Sequence, residues 1–203
     1  MSHCVLKHAY TAFRTIRETG ELYEWLVDAL GAAAYASKVK TFENRIVQQY
    51  HSCSSTPVME RVLNNFQKKE CTTRCLIATV AFGMGVDVPD VDIVIHWGAS
   101  KGIVHYWQEI GRCRRDGKQG MAVLYAYRRS LNNRVEMSFK TLCEQMNKGE
   151  IACLRKAILE HLTIEQNWVL PSRSVCQGNC ETCGCDVCRC CNFCAETCPC
   201  FKR

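Results

Sequence analysis

Three groups of residues in this 203-residue chain have types and spacings that can do chemistry. The first is "YWQEIGRCRRDG", residues 106–117, in which Gln108, Arg112 and Arg115 stand at i, i+4 and i+7. On a helix those three side chains share one face. A glutamine and two arginines on one face make a holder for phosphate oxygens, because guanidinium is a rigid fork of donors. The second group is the loop "AFGMGVD", residues 81–87. Gly83 and Gly85 permit close backbone approach or positive φ, and Asp87 can accept hydrogen bonds from a ribose hydroxyl. The third is the cysteine set. Of 17 cysteines, ten lie between Cys176 and Cys200, a density that asks for metal or disulfide chemistry.

The compartment decides between those two. The opening "MSHCVLKHAYTAF" lacks the apolar core of a secretory signal. No stretch approaches 18 apolar residues, so no membrane partner is expected. An intracellular, reducing setting follows as the expectation, nuclear if the source is eukaryotic. Clustered cysteines there read as metal ligands. The net charge of +6 permits a polyanion partner without demanding one.

The elements that must position these groups alternate in type. "HAYTAF" (8–13) reads as a first strand and "TIRETGELYEWLVDALG" (15–31) as an amphipathic helix. Its apolar side carries Leu22, Leu26 and Leu30, with Tyr23 and Val27 beside them, and Gly31 suits its end. "RIVQQYHS" is a short strand. "TPVMERVLNNFQKKE" is a helix capped by Thr56, with Pro57 in its first turn and Met59, Val62, Leu63 and Phe66 as its buried stripe. Strands follow at 74–80, 91–98 and 121–128. A helix over 102–113 buries Ile103, Val104, Trp107 and Ile110. Two more helices cover about 130–147 and 149–162. Strand–helix alternation predicts an α/β fold with a parallel sheet covered on both faces, ending near residue 128. The expected division is residues 1–128 as that lobe and 129–203 as a helical, cysteine-rich unit.

"ATVAFGMGVDVPDVDIVIHWG" followed ten residues later by "QEIGRCRRDG" resembles motifs V and VI of RecQ-type DNA helicases of superfamily two. "FRTIRETGELYEWL" resembles the motif IV region of that family. The likeness covers about residues 8–128 and implies the second of two RecA-like lobes that hold ATP and Mg between them. It implies that Arg115 is the arginine finger, Arg112 its companion on the γ-phosphate, and Gln108 a coupling residue. Gly85 and Asp87 would face the nucleotide, and Arg14, Thr15 and Thr79 the phosphates of single-stranded or forked DNA. The phosphate-cradling G-K-[ST] loop of a first lobe is not found in this sequence. The chain is therefore expected to need a first RecA-like lobe as partner. One departure stands inside motif VI, where Cys113 and Arg114 replace the alanine and glycine of the family pattern.

Helicases of this family follow the lobe with helices and a zinc site. "ACLRKAILEHL" (152–162) resembles the helix bearing its first ligand, which implies Cys153. The distal ligands stay open. "CDVC" supplies Cys185 and Cys188, the spacing C-x-x-C recurs at Cys191 and Cys194, and Cys176 or Cys180 can complete a tetrahedron. Two readings of the whole follow. One is the C-terminal motor lobe of a 3′–5′ DNA helicase; the other is a non-catalytic zinc-containing module that binds DNA or protein.

Overall fold

The computed structural model describes residues 9–13, 15–68, 70–79, 91–114, 120–163 and 190–197. Five strands form one parallel sheet: β1 (Ala9–Phe13), β2 (Val47–Tyr50), β3 (Cys75–Thr79), β4 (Ile93–Trp97) and β5 (Met121–Tyr125), in the order β2-β3-β1-β4-β5. Short apolar runs such as "CLIAT" make such strands, because a sheet covered on both faces has no polar side to alternate with. Leu76, Ile77 and Ala78 of β3 are fully buried. The α/β lobe with a parallel sheet is the fold expected from the sequence.

Helix α1 (Ile16–Leu30) begins at a reciprocal cap. The Thr15 hydroxyl accepts from the Glu18 backbone N–H and donates to the Glu18 carboxylate, at 3.2 and 2.8 Å. It ends at Gly31, whose positive φ of 52° is one that glycine adopts more easily than other residues. Its Leu22, Tyr23, Leu26 and Val27 pack against Val47 and Ile77. Leu30, expected on that side, is instead exposed, since it falls in the last turn beyond the sheet contact.

Helix α2 (Thr56–Phe66) covers Leu76, Ala78 and Val94 with Val62 and Phe66. Each such fully buried side chain contributes about 1.5–3 kcal/mol. Ser55, not Thr56, stands at its N-cap, and Thr56 is the first helical residue, because Pro57 takes an early-turn position.

Helix α3 (Ile103–Ile110) is shorter and rotated relative to expectation. Ile103 and Tyr106 are buried, whereas Val104 is half exposed, at 50%. Trp107 and Ile110 are intermediate. The inward face therefore runs through 103, 106 and 109, and the place assigned to Val104 is filled by Tyr106 and Glu109.

The chain divides into two compact units, residues 1–100 with 108–132, and residues 101–107 with 133–203. The second holds α4 (Met137–Asn147), α5 (Leu154–Leu162) and α6 (Asn192–Thr197). The helix expected over about 130–147 starts only at Met137, after a 3-10 turn at Arg128–Ser130. Within the second unit, Tyr106 and Phe139 stack with ring centroids 5.4 Å apart, and the Glu136 N–H donates to the Lys101 carbonyl at 2.8 Å. No helix among the described residues is long and apolar enough to cross a membrane.

Candidate functional site

The segment from Gln108 to Arg114 starts on α3 and leaves it at Ile110. Gln108 is exposed in the last turn of the helix. Gly111 and Arg112 form a turn, in which the Arg112 N–H donates to the Glu109 carbonyl at 3.4 Å. Arg112 thus lies past the helix end, so Gln108 and Arg112 do not share a helical face. Gly111 supplies the reason, being an unfavourable helix interior residue and a favourable terminator. Arg115, Gly85 and Asp87 lie outside the described residues, as does Arg14.

Past that turn the chain is fastened to the start of β4. Cys113 pairs with Val91 in a parallel bridge, and the Arg114 N–H donates to the Val91 carbonyl at 2.9 Å. The Cys113 thiol donates to the Asp92 carbonyl at 3.2 Å and lies 3.4 Å from that of Met121. Burial pushes the Cys113 thiol pKa up. Arg114 adopts φ 49°, the one positive value at a non-glycine residue among those described. Its guanidinium reaches the Asp92 carboxylate at 2.6 Å. A side chain on Gly120 would strike Cys113 and Arg114, so that glycine makes room for the pair.

Beneath the helix end sits a buried polar group that sequence reasoning missed. The Glu109 carboxylate accepts from His96 Nε2 at 2.7 Å and from the Ser100 hydroxyl at 2.9 Å. All three residues are buried. The pairing anchors the C-terminal half of α3 to the end of β4 and to the loop that follows it. His96 has the setting of a structural histidine, buried with its Nε2 on Glu109. Its partner was invisible to periodicity, because a glutamate in an exposed-looking motif gives no apolar signal.

Of the residues assigned to nucleic-acid phosphates, Thr79 is buried at the end of β3, and the Thr15 hydroxyl is engaged in the α1 cap.

The cysteines give the second site. Cys153, Cys190, Cys191 and Cys194 bring their sulfurs within 4.8 Å of one another, with 3.5 Å between those of Cys153 and Cys190. A tetrahedron with Zn–S near 2.3 Å needs sulfur separations of about 3.8 Å, so the donor set fits zinc with little adjustment. Cys153 caps α5, where its sulfur accepts from the Lys156 N–H at 3.4 Å. A helix N-terminus favours the thiolate form. Burial, followed by hydrogen bonds and charge from the neighbouring thiols, pushes the Cys194 pKa up to about 12. Four sulfurs this close resist ionising together unless a cation joins them. Three of the six expected ligands, Cys153, Cys191 and Cys194, are brought together here. Cys176, Cys185 and Cys188 lie outside the described residues. Cys190 joins the cluster although the sequence reading passed over it, since an adjacent cysteine pair looks redundant beside a C-x-x-C spacing.

A family model described as the helicase conserved C-terminal domain matches residues 24–117. The ATP-dependent helicase wrn-1 of Caenorhabditis elegans is 41% identical over 83 residues, covering 41% of this chain and 8% of that protein. The ATP-dependent DNA helicase Q-like 2 of Arabidopsis thaliana is 30% identical over 136 residues, 66% of this chain and 19% of that protein. A protein of Acanthamoeba polyphaga mimivirus named for ATP-dependent RNA helicase activity is 35% identical over 131 residues, 57% of this chain and 23% of its own length. The chain thus spans less than a quarter of each of these relatives. Among solved structures, domain 2 of the DEAD-box helicase Mss116p superposes with a TM-score of 0.52 at 19% identity, covering 79% of this chain and 59% of that one. That likeness is one of fold. Over residues 24–117 the chain is similar to the helicase C-terminal domain, in a likeness shared with RecQ-like helicases, and a four-cysteine cluster of a geometry that suits zinc follows it.

Proposed function

We propose that this chain is the C-terminal motor lobe of a RecQ-like 3′–5′ DNA helicase, working against a first RecA-like lobe that supplies the ATP- and Mg-binding loops. The observation that carries the reading is the fastening of the Gln108–Arg114 segment. A buried Glu109–His96–Ser100 group holds it at one end, and Cys113, Arg114 and Asp92 hold it at the other. A segment meant to present arginines to a phosphate must be held still, because preorganised donors stabilise developing charge without reorganising during the reaction. In this reading Arg115 is the arginine finger, with Arg112 beside it and Gln108 coupling nucleotide to nucleic acid. Gly85 and Asp87 face the nucleotide. Arg14 faces the phosphates of single-stranded DNA; Thr79, whose side chain is buried, and Thr15, whose hydroxyl is engaged in the α1 cap, contribute less. ATP with Mg supplies the reactive phosphoryl group; the chain's own part is to bind, orient and neutralise charge.

Zinc held by Cys153, Cys190, Cys191 and Cys194 would join the start of α5 to the segment around α6. That is a structural role, since a closed tetrahedral set leaves no position for substrate.

The test is complementation. Purified alone, the chain should hydrolyse no ATP in the presence of single-stranded DNA. Mixed with a separately expressed first lobe of a RecQ-type helicase, it should hydrolyse ATP, and Arg115→Ala should lower that rate by roughly a thousand-fold or more. Robust turnover by the chain alone sinks the half-motor reading. DNA binding without ATPase under any pairing favours a zinc-containing binding module instead.

A further inference from the structure

The carboxyl edge of the sheet ends in aromatic residues that neither fastening device uses. The register sets Trp97 of β4 directly beside Tyr125 of β5. Their ring centroids are 5.3 Å apart, tilted by 53°. They are 44% and 52% exposed, and Tyr127, two residues on, is 38% exposed.

This cluster is built rather than incidental. Gly98, at φ 108°, donates its N–H to the Tyr125 carbonyl at 3.0 Å. A Cβ on Gly98 would lie 3.2 Å from Ser130 Cβ and 3.6 Å from the Tyr127 hydroxyl, so the glycine lets the chain lie against Tyr127. The Ser130 hydroxyl and N–H both donate to the Tyr127 carbonyl, at 2.6 and 2.8 Å. They hold the turn that displays Arg128 and Arg129, both exposed. The Tyr127 hydroxyl donates to Glu18 at 3.4 Å, which ties it to the first turn of α1. Glu18 is the acid of the cluster, and its carboxylate is already bonded to Thr15 and Tyr127.

The strand order puts this platform in line with Thr79. From β3 across β1 and β4 to β5 are three strand spacings, about 14 Å, a length that a few nucleotides can follow. Half-exposed aromatic faces with two arginines beside them suit one ligand chemistry well. Bases stack on the rings and phosphates meet the guanidinium groups. The geometry points to Trp97, Tyr125 and Tyr127, with Arg128 and Arg129, as a base-stacking platform for single-stranded nucleic acid. It extends the phosphate track proposed above past β1 to the β5 edge, and it rests on that reading.

The test compares two labelled oligonucleotides of equal length and charge, an oligo-dT and an abasic strand, by fluorescence anisotropy with the full 203-residue chain. The chain should bind oligo-dT about ten-fold more tightly than the abasic strand. The double substitution Trp97→Ala and Tyr125→Ala should lower the dT affinity to the abasic level. Trp97→Phe, which keeps a ring, should retain the preference. Arg128→Gln with Arg129→Gln should weaken both strands equally and reduce the salt dependence by about one unit of slope per arginine. Equal binding of the two strands by the unmodified chain overturns the platform. So does a dT preference that survives the double substitution, or one that Trp97→Phe abolishes. Binding of neither strand overturns the motor reading as well, whereas a preference insensitive to Trp97 and Tyr125 overturns the platform alone.

Discussion

Arg114 holds a left-handed backbone conformation and ion-pairs with Asp92 at 2.6 Å. The RecQ pattern has glycine at this position, and φ 49° explains why glycine suits it. A side chain there costs roughly 1–2 kcal/mol. The Asp92 pair, whose side chains are only 20% and 12% exposed, offsets that cost. Replacing Arg114 therefore separates the two effects. Arg114→Ala keeps the strain and loses the pair, while Arg114→Gly loses both. Urea unfolding should find Arg114→Gly more stable than Arg114→Ala by about 1 kcal/mol, and Asp92→Asn destabilised relative to the unmodified chain. Equal stability of the alanine and glycine variants would show that the conformation carries no strain.

The buried Glu109 group makes a second, independent prediction. Glu109→Ala leaves a buried histidine and a buried hydroxyl without their acceptor, which costs roughly 1–3 kcal/mol for each stranded group. Ser100→Ala removes one donor and leaves the carboxylate bonded to His96, so its effect should be the smaller. A double-mutant cycle between His96 and Glu109 should give a coupling of about 1 kcal/mol or more. Additive effects in that cycle would mean that the two side chains do not act as a unit.

The rotation of α3 is tested by two of its apolar residues. Val104 is half exposed, so Val104→Ala should change unfolding free energy by less than about 0.5 kcal/mol. Tyr106 is 2% exposed and stacked on Phe139, so Tyr106→Ala should cost about 3–5 kcal/mol. The opposite order would restore the face expected from the sequence.

That contrast shows where the sequence was legible. The strands and α1 were readable because their signals are local. Apolar runs mark β3 and β4, a row of leucines four residues apart marks α1, and a glycine closes it. The inward face of α3 was not, since its third buried position is a glutamate whose partner, His96, stands thirteen residues earlier. Periodicity scores Val104 as core and Glu109 as surface, and only the fold reverses them. The end of α3 at Ile110 was missed for a related reason. The helix expected over 102–113 stops at Ile110 because Gly111 terminates it. In the cysteine cluster, spacing pointed to Cys191 and Cys194, but the choice of Cys190 follows from the turn that precedes α6.

Cys143 supplies a pH prediction. Burial, with a smaller contribution from the Glu144 charge, pushes its thiol up to about 12. In the unfolded chain a thiol titrates near 8.5. A raised folded pKa means that the protonated thiol is favoured by folding. Its contribution is complete below about pH 8.5 and is lost as pH rises toward about 12. Between pH 8 and pH 10.5 the unmodified chain should therefore lose more unfolding free energy than Cys143→Ala, in matched urea titrations. Parallel losses in the two proteins would remove Cys143 as a source of alkaline sensitivity.

The cysteine cluster makes the last prediction. Cys153, Cys190, Cys191 and Cys194 form a donor set whose sulfurs are within 4.8 Å of one another, and two of its members sit at or beside helix termini. If this set holds zinc, Cys153→Ser and Cys194→Ser should each lower the metal content by one ion per chain. Cys185→Ser and Cys188→Ser, at the other C-x-x-C pair, should leave that ion in place. Because bound thiols must be deprotonated, chelator resistance should fall as pH is lowered from 8 to 6. Cobalt substitution reads the donor set directly, through a thiolate-to-metal absorption band that should weaken in Cys190→Ser. Loss of the same ion in Cys188→Ser, with Cys190→Ser unaffected, would assign the site to that other pair and leave Cys190 as a bystander.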